Sequence, residues 1–406
     1  MTVAWREVWA SFGRIGVMSF GGPAAQIAVM QRELVERRGW LDGEGFLRGL
    51  AFCTLLPGPE AMQLATYAGW RVRGTLGGLT AGLLFVLPGA VVMMGLAAAY
   101  LTYGRLAAVE AAFLGVKAAV LAIVLNALVK LWDKVAGGPL ELAIATGAFA
   151  ALLLGVPFWA VLIAGGLSGL LKGFGDAAAQ HPAIRPEAVA GTVRVVITWG
   201  LVWWVPLLGV ITFAPGTAAA EAAVFFSWLA TVSFGGAYAV LAALSQTAVE
   251  QYGWLTKAQM IDGLGLAETT PGPLILVTTF TAWLGGAASG GWPMALATAA
   301  TGLWATFAPC FLFIFAGAPH VERLTAMPKV RGALRGITAA VLGVIAALAV
   351  WFGRATIWPD GLDPVALALA VVAGALLLGL RRGLVETLLL CALLALGWHL
   401  LGGSVA

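Results

Sequence analysis

Charge is what this sequence has least of. Only 10% of its 406 residues are Asp, Glu, Lys or Arg, while 61% are hydrophobic. A soluble domain carries roughly a quarter charged residues, so this chain has too little polar surface to cover a water-soluble globule. Histidine is nearly absent: His181, His320 and His399 stand far apart, leaving nothing from which to assemble a metal site or a Ser/His/Asp constellation. The three cysteines, Cys53, Cys310 and Cys391, are scattered through apolar segments without metal-ligand spacing or a disulfide framework. Long strand-like alternation is missing, which argues against a β-barrel. The opening Met-Thr-Val-Ala-Trp-Arg runs into a broken apolar segment with no compact apolar region and cleavage site of a removed signal peptide. No cofactor, metal, catalytic residue or nucleic-acid partner is expected.

What the sequence has instead is apolar runs along its whole length, among them Gly74–Leu101, Ala107–Val129, Gly332–Trp351 and Pro364–Leu380. A helix needs roughly 17–25 such residues to cross about 30 Å of hydrocarbon. The fold class is therefore an all-α polytopic membrane protein whose partner is the lipid bilayer. The runs also repeat. Ser19-Phe20-Gly21-Gly22 returns as Ser233-Phe234-Gly235-Gly236, 214 residues later, and Trp40-Leu41 and Pro57-Gly58-Pro59 return as Trp254-Leu255 and Pro271-Gly272-Pro273 at the same offset. Beyond a seven-residue insertion the offset is 221, pairing Pro88 with Pro309 and Gly115–Val120 with Gly336–Val341.

The chain thus divides into a first repeat (1–175), a polar linker with one connecting transmembrane helix (176–215) and a second repeat (216–406). About six segments per copy plus one extra crossing invert the second copy relative to the first, a recurrent transporter architecture. Basic residues favour the cytoplasmic ends of spans. If all segments crossed, giving 13 spans, the loop Gln31–Arg48 with Arg32, Arg37, Arg38 and Arg48 would lie outside. With the first two segments of each copy re-entrant, that loop moves inside and about nine full crossings remain. The N-terminus is then cytoplasmic and the C-terminus extracytoplasmic.

Irregular backbone survives in hydrocarbon only where protein or a wet cavity covers it. Gly21-Gly22-Pro23 permits a turn and starts a new helix, since proline suits the first helical positions, and the two Pro-Gly-Pro segments read the same way. Each break would aim the free N–H groups of a half-helix into the interior, and a helix N-terminus attracts anions. Four of them would replace the hydration of a small oxyanion. Polar side chains gather at the same points: Ser19 and Gln26 at the first break, Thr54, Glu60 and Gln63 at the second, then Ser233, and Glu268, Thr269 and Thr270 in the other copy. The substrate-binding candidates are Ser19, Gly21, Gly22, Pro23, Gln26, Thr54, Pro57, Gly58, Pro59, Gln63, Lys117, Ser233, Gly235, Gly236, Thr270, Pro271, Gly272 and Pro273. The competing reading makes Gly and Pro simple kinks and packing contacts, common in membrane helices; paired recurrence beside polar residues favours a site. Lys117 lies inside an apolar run, where ionisable residues are costly and functional by default; it either binds the anion or pairs with a carboxylate. Glu60 and Glu268 are candidates for proton coupling, Glu60 at the second position of its half-helix.

Ser19-Phe20-Gly21-Gly22-Pro23 and Leu56-Pro57-Gly58-Pro59, with their second-half copies, resemble the signature of the chromate ion transporter family in its long, two-domain form. The sequence departs from a perfect repeat at Ala237, where proline would be expected. The resemblance implies chromate efflux across the bacterial inner membrane, conferring chromate resistance, with sulfate as the structural mimic. The reading is a transporter working by alternating access around broken-helix N-termini, not an enzyme. The alternatives are a proton-coupled importer of sulfate or another oxyanion and, from another class, a membrane-embedded enzyme. Homodimerisation is left open.

Overall fold

The computed structural model describes residues 3–135, 137–173, 186–234, 237–321, 324, 327–359 and 361–403. Gly235, Gly236, Arg323 and the linker stretch 176–185, with His181, lie outside the described residues. Among those described there is no strand; the protein is an all-α polytopic membrane protein. The first half runs α1 (Trp5–Met18), α2 (Gly22–Gln31), α3 (Gly43–Cys53), α4 (Glu60–Tyr103), α5 (Ala107–Val135), α6 (Pro139–Leu153) and α7 (Phe158–Gly173). A connecting α8 (Pro186–Phe213) follows. The second half runs α9 (Ala218–Val232), α10 (Ala237–Leu244), α11 (Lys257–Thr269), α12 (Val277–Gly317), α13 (Pro328–Ile357), α14 (Pro364–Gly374) and α15 (Leu384–Leu400).

Among the described residues, five helical stretches are long and apolar enough to cross a membrane: Glu60–Tyr103, Ala107–Asp133, Ala190–Phe213, Leu274–His320 and Pro328–Ile357. The apolar window of α8 is only 11% buried inside the protein. A helix apolar on all sides and covered on so few is solvated by lipid. The expected count of about nine crossings draws on four shorter apolar helices as well. Helices α6 and α7 have 15 and 16 residues, α15 has 17, and α14 reaches Gly379 only with an added π turn. At 1.5 Å per residue they span about 22–26 Å, below or at the lower limit for a crossing. The apolar sequence runs on, but the backbone turns: Gly155 adopts φ +81° after α6 and hands Val156 back to the Ala151 carbonyl.

The two halves match in backbone detail. After α2 and α10 the chain widens into π turns, Arg32–Arg37 and Ser245–Gln251. Each ends at a left-handed glycine, Gly39 (φ +60°) and Gly253 (φ +62°), and the next tryptophan N–H returns to a carbonyl six residues back, Trp40 to Leu34 and Trp254 to Ala248. Helix α4 bends sharply at Arg73-Gly74 and α12 at Gly290-Gly291, with Gly74 at φ +63° and Gly291 at +68°. The bend pairs at offset 217, so the seven-residue insertion splits into three residues before the bend and four, about one helical turn, after it.

The last two helices of each half pack on the other half. Helices α6 and α7 lie against α13, while α14 and α15 lie against α5, and α5 touches α13. Repeat-matched glycines make the crossings: a Cβ at Gly115 would strike the Cys391 carbonyl on α15, and one at Gly336 the Gly165 carbonyl on α7. Small residues let membrane helices approach to backbone contact in this way.

Candidate functional site

Both breaks of the first half are real. Helix α1 stops at Met18, and α2 restarts from an N-cap at Gly21. Gly21 and Gly22 take φ +81° and +82°, which only glycine adopts without strain. Gly22, not Pro23, is the first helical residue; Pro23 follows it in the first turn, where its missing N–H is again no loss. The second break separates α3 from α4 at Thr54–Pro59, with Gly58 at φ +118°. Here Pro59 is the N-cap and Glu60 the first helical residue, one position earlier than expected. In the second half α9 ends at Val232 and α10 begins at Ala237, while Pro271–Pro273 separates α11 from a 3₁₀ turn, Leu274–Leu276, that runs into α12. No side chain caps the starts of α2, α4 or the 3₁₀ turn, so their first amides keep the positive end of the helix dipole uncovered.

The breaks do not stand alone; each half clasps the other. The Gly272 N–H donates to the Ser19 carbonyl at 2.8 Å, and the Gly58 N–H donates to the Ser233 carbonyl at 2.9 Å. The first break of each copy thus accepts from the Pro-Gly-Pro of the opposite copy. Two buried glutamines complete the clasp: Gln26 Nε2 donates to the Gly272 carbonyl at 2.7 Å and Gln63 Nε2 to the Pro57 carbonyl at 2.6 Å. Close packing seals it, since a Cβ on Gly89 of α4 would meet the Pro271 carbonyl and one on Gly58 would press on Gln63 and Cys310. The helices leaving the two breaks of each copy also touch, α2 against α4 and α10 against the 3₁₀ turn.

This corrects the picture of free amides at every break. The N–H groups of Gly58 and Gly272 are consumed by the clasp, because an unpaired amide at membrane depth costs several kcal/mol. The amides left for a guest are those at the starts of α2 and α4 and their counterparts. The remaining polar candidates are distributed unevenly. Ser19 and Ser233 are buried, but their hydroxyls turn back to the carbonyls of Ile15 (2.6 Å) and Ala230 (3.1 Å). Thr270 does the same toward Leu266, and Thr54, which is exposed, toward Ala51. The Oε1 atoms of Gln26 and Gln63 are buried without a partner. Pro273, like Pro271 and Gly272, is buried. Glu60 is half-buried close to the Cys53 thiol. Glu268 is 2% exposed; its Oε1 accepts from the Tyr238 hydroxyl at 2.8 Å and its Oε2 has no partner.

Lys117 is not among the clasp contacts. It sits half-buried on α5 facing α11, within electrostatic reach of Asp262. Asp262 was missed by sequence reasoning, although an aspartate inside Met260–Ala267 is an ionisable group in an apolar stretch and could have been flagged by that alone. Arg14 is exposed, with its Nε on the Met18 sulfur at 3.4 Å. The three cysteines are buried and unbridged.

A polytopic helical bundle with paired mid-chain breaks that meet across two copies has the anatomy of a secondary transporter. The sequence model of the family described as "Chromate transporter" matches residues 6–170 and 220–398. A chromate transport protein of Pseudomonas aeruginosa is 31% identical over 358 residues, 87% of this chain and 82% of that protein. One from Cupriavidus metallidurans is 30% identical over 392 residues, 94% and 90% of the two chains. A probable chromate transport protein of Synechococcus elongatus is 29% identical over 363 residues, 86% and 84%. No solved structure matches. The chain belongs to the chromate transporter family.

Proposed function

We propose that this protein carries a tetrahedral oxyanion, chromate, out of a bacterial cell through the inner membrane and so confers chromate resistance. Two repeats, 1–175 and 216–406, lie in inverted orientation about the connecting segment 176–215. The N-terminus is cytoplasmic and the C-terminus extracytoplasmic. Transport proceeds by alternating access around the clasped breaks. The observation that carries this reading is the reciprocal clasp itself, Gly272 to Ser19 and Gly58 to Ser233, which holds uncapped helix starts against one another inside the protein. Amides and dipole ends hold an anion by many weak contacts, without the fixed counter-charge that would trap it. Lys117 is a further station along the same route. The names of the relatives support chromate as the cargo and transport rather than enzymatic turnover.

Energetics favour export. A dianion leaving through 100 mV, negative inside, gains about 4.6 kcal/mol, enough at about 1.4 kcal/mol per tenfold to sustain a gradient of about 10³. Purified protein in proteoliposomes tests this: chromate should leave faster with the lumen held negative than positive. Release indifferent to the sign of the potential contradicts electrogenic export. The second reading, import of sulfate or another oxyanion with protons, is favoured by one observation, the unpartnered Oε2 of buried Glu268. An inward pH gradient would then drive accumulation, and Glu268→Gln would abolish it.

A further inference from the structure

Asp262 lies near the middle of α11 and is 4% exposed. Its Oδ2 accepts the Tyr100 hydroxyl at 2.8 Å, and its Oδ1 is buried with no partner at all. The tyrosine is held from both sides, edge-on against Phe113 at 5.2 Å and Phe280 at 5.3 Å between ring centroids. Across the seam stands Lys117. One turn along α11, a Cβ on Gly265 would strike Val116, so the two backbones run close at this level. Yet Lys117 makes no hydrogen bond or ion pair with any described residue; its charge reaches Asp262 without contact.

A carboxyl and an ammonium buried in a membrane protein normally close on each other, because contact offsets part of their desolvation. Here both are held apart with a free bonding site each. Lys117 can receive an anion, and Asp262 Oδ1 can receive a proton. Filling both at once keeps the seam's net charge lower than filling the first alone. Nor does the fold need the pair: at the repeat-matched positions stand Arg48, exposed and 3.6 Å from Glu44, and Thr338, which bonds the Leu334 carbonyl.

The charged groups of α4, Glu60, Arg71 and Arg73, lie before or at its bend, while Tyr100 stands near its far end. The other ionisable groups around α11 leave Lys117 as the cation opposite Asp262. Helix α12 and the 3₁₀ turn carry no charged side chain. Glu110 of α5 acts on the Tyr100 hydroxyl. The π turn carries Glu250, and α15 carries Glu386 and His399 in its first and last turns. Lys329, Arg331 and Arg335 lie in the opening turns of α13 and Arg354 in its last turn. Lys130, farther along α5, stands within electrostatic reach of Glu268 rather than of Asp262.

We infer that Asp262 is the proton-binding partner of Lys117: when an oxyanion settles on the Lys117 ammonium, Asp262 Oδ1 takes one proton from water, and it returns that proton when the anion leaves. This rests on the oxyanion-transport reading and adds a linked proton site to it. By linkage, the affinity for the anion then falls as pH rises, by up to about tenfold per pH unit while Asp262 is otherwise ionised.

The test is direct. Chromate and sulfate binding to the purified full-length protein is measured across neutral pH, and proton uptake on adding sulfate, which stays a dianion throughout, is read with an indicator dye in weak buffer. Wild type should take up about one proton per bound sulfate. Asp262→Asn, which keeps an acceptor for Tyr100, should bind with no uptake and with pH-independent affinity. Tyr100→Phe should keep the uptake but move its midpoint, which separates the proton site from mere structural support. Oxyanion binding without proton uptake in wild type, or unchanged uptake in Asp262→Asn, overturns the inference while leaving the transport reading intact. Failure of wild type to bind either ion at any pH overturns both.

Discussion

The two halves of this chain agree in backbone and disagree in side chains. Breaks, π turns, left-handed glycines and sharp bends recur in register, and each half supplies the acceptor carbonyl for the other half's Pro-Gly-Pro. The side chains at those matched places do not recur. The first half brings Gln26 and Gln63, where the second has Val240 and Val277. The second half brings Asp262 and Glu268, where the first has Arg48 and Thr54. In the alternating-access mechanism proposed above, the scaffold would be nearly the same read from either side, and unequal side chains would make the two faces differ.

The comparison breaks most severely at the clasp glycines. Gly58→Leu and Gly272→Leu should each abolish chromate flux in membrane vesicles, by more than about 100-fold, while the protein still reaches the membrane. Their φ values, +118° and +91°, are strained for any side chain, and the added atoms collide with Cys310 and Gln63 in one copy and crowd Leu276 and Phe85 in the other. A harmless leucine at 272 beside a lethal one at 58 would show that only the first half builds the site. Gly22→Leu should be nearly as damaging through its φ of +82°, although its surroundings are open.

Next come the matched crossings. Gly115→Val and Gly336→Val should each cost about 1–3 kcal/mol by overpacking, lowering the melting temperature in detergent by similar amounts. Unequal losses would mean that the exchanged helix pairs are not equivalent props. Lys117→Gln should weaken chromate binding about tenfold, near 1.4 kcal/mol; unchanged affinity makes it a structural lysine.

The smallest effect lies at the first π turn, outside the five crossing stretches. Glu33 accepts from Arg37 and Arg38, both at 3.2 Å, and from Ser11 at 3.3 Å, whereas the second copy has Thr247 there. Burial pushes the Glu33 carboxyl upward, but the bonds from Arg38 and Arg37 outweigh it and leave it below its ordinary value. A depressed folded-state pKa stabilises above the unfolded value and loses that contribution as pH falls through the folded one. Acidification should therefore raise amide exchange across residues 32–38 and leave 246–252 unchanged, an effect of about 0.5–1 kcal/mol because the arginine partners are partly exposed.

What could be read from sequence was local. Gly-Gly-Pro and Pro-Gly-Pro impose their own backbone, so the breaks at 19–23 and 57–59 were legible, as was their recurrence. The clasp was not, because Ser19 and Gly272 are joined only by tertiary contact between segments more than 250 residues apart. The shortness of the α6–α7 and α14–α15 helices was hidden for the opposite reason: an apolar run reports burial, not where a helix ends. Asp262 could be flagged in the sequence as an ionisable residue in an apolar stretch, but its partners Tyr100 and Lys117 lie in the other half. The free oxygen on Asp262 exists only in three dimensions.

The central claim is that the oxyanion rests on helix starts held by the reciprocal clasp. Anomalous scattering from chromium in crystals of the protein grown with chromate locates the ion without assumptions. The account predicts a peak within hydrogen-bond reach of the first amides of α2 or α4, or of their counterparts in the second half. Chromium bound only elsewhere, with those amides facing empty lipid or packed protein, would contradict it.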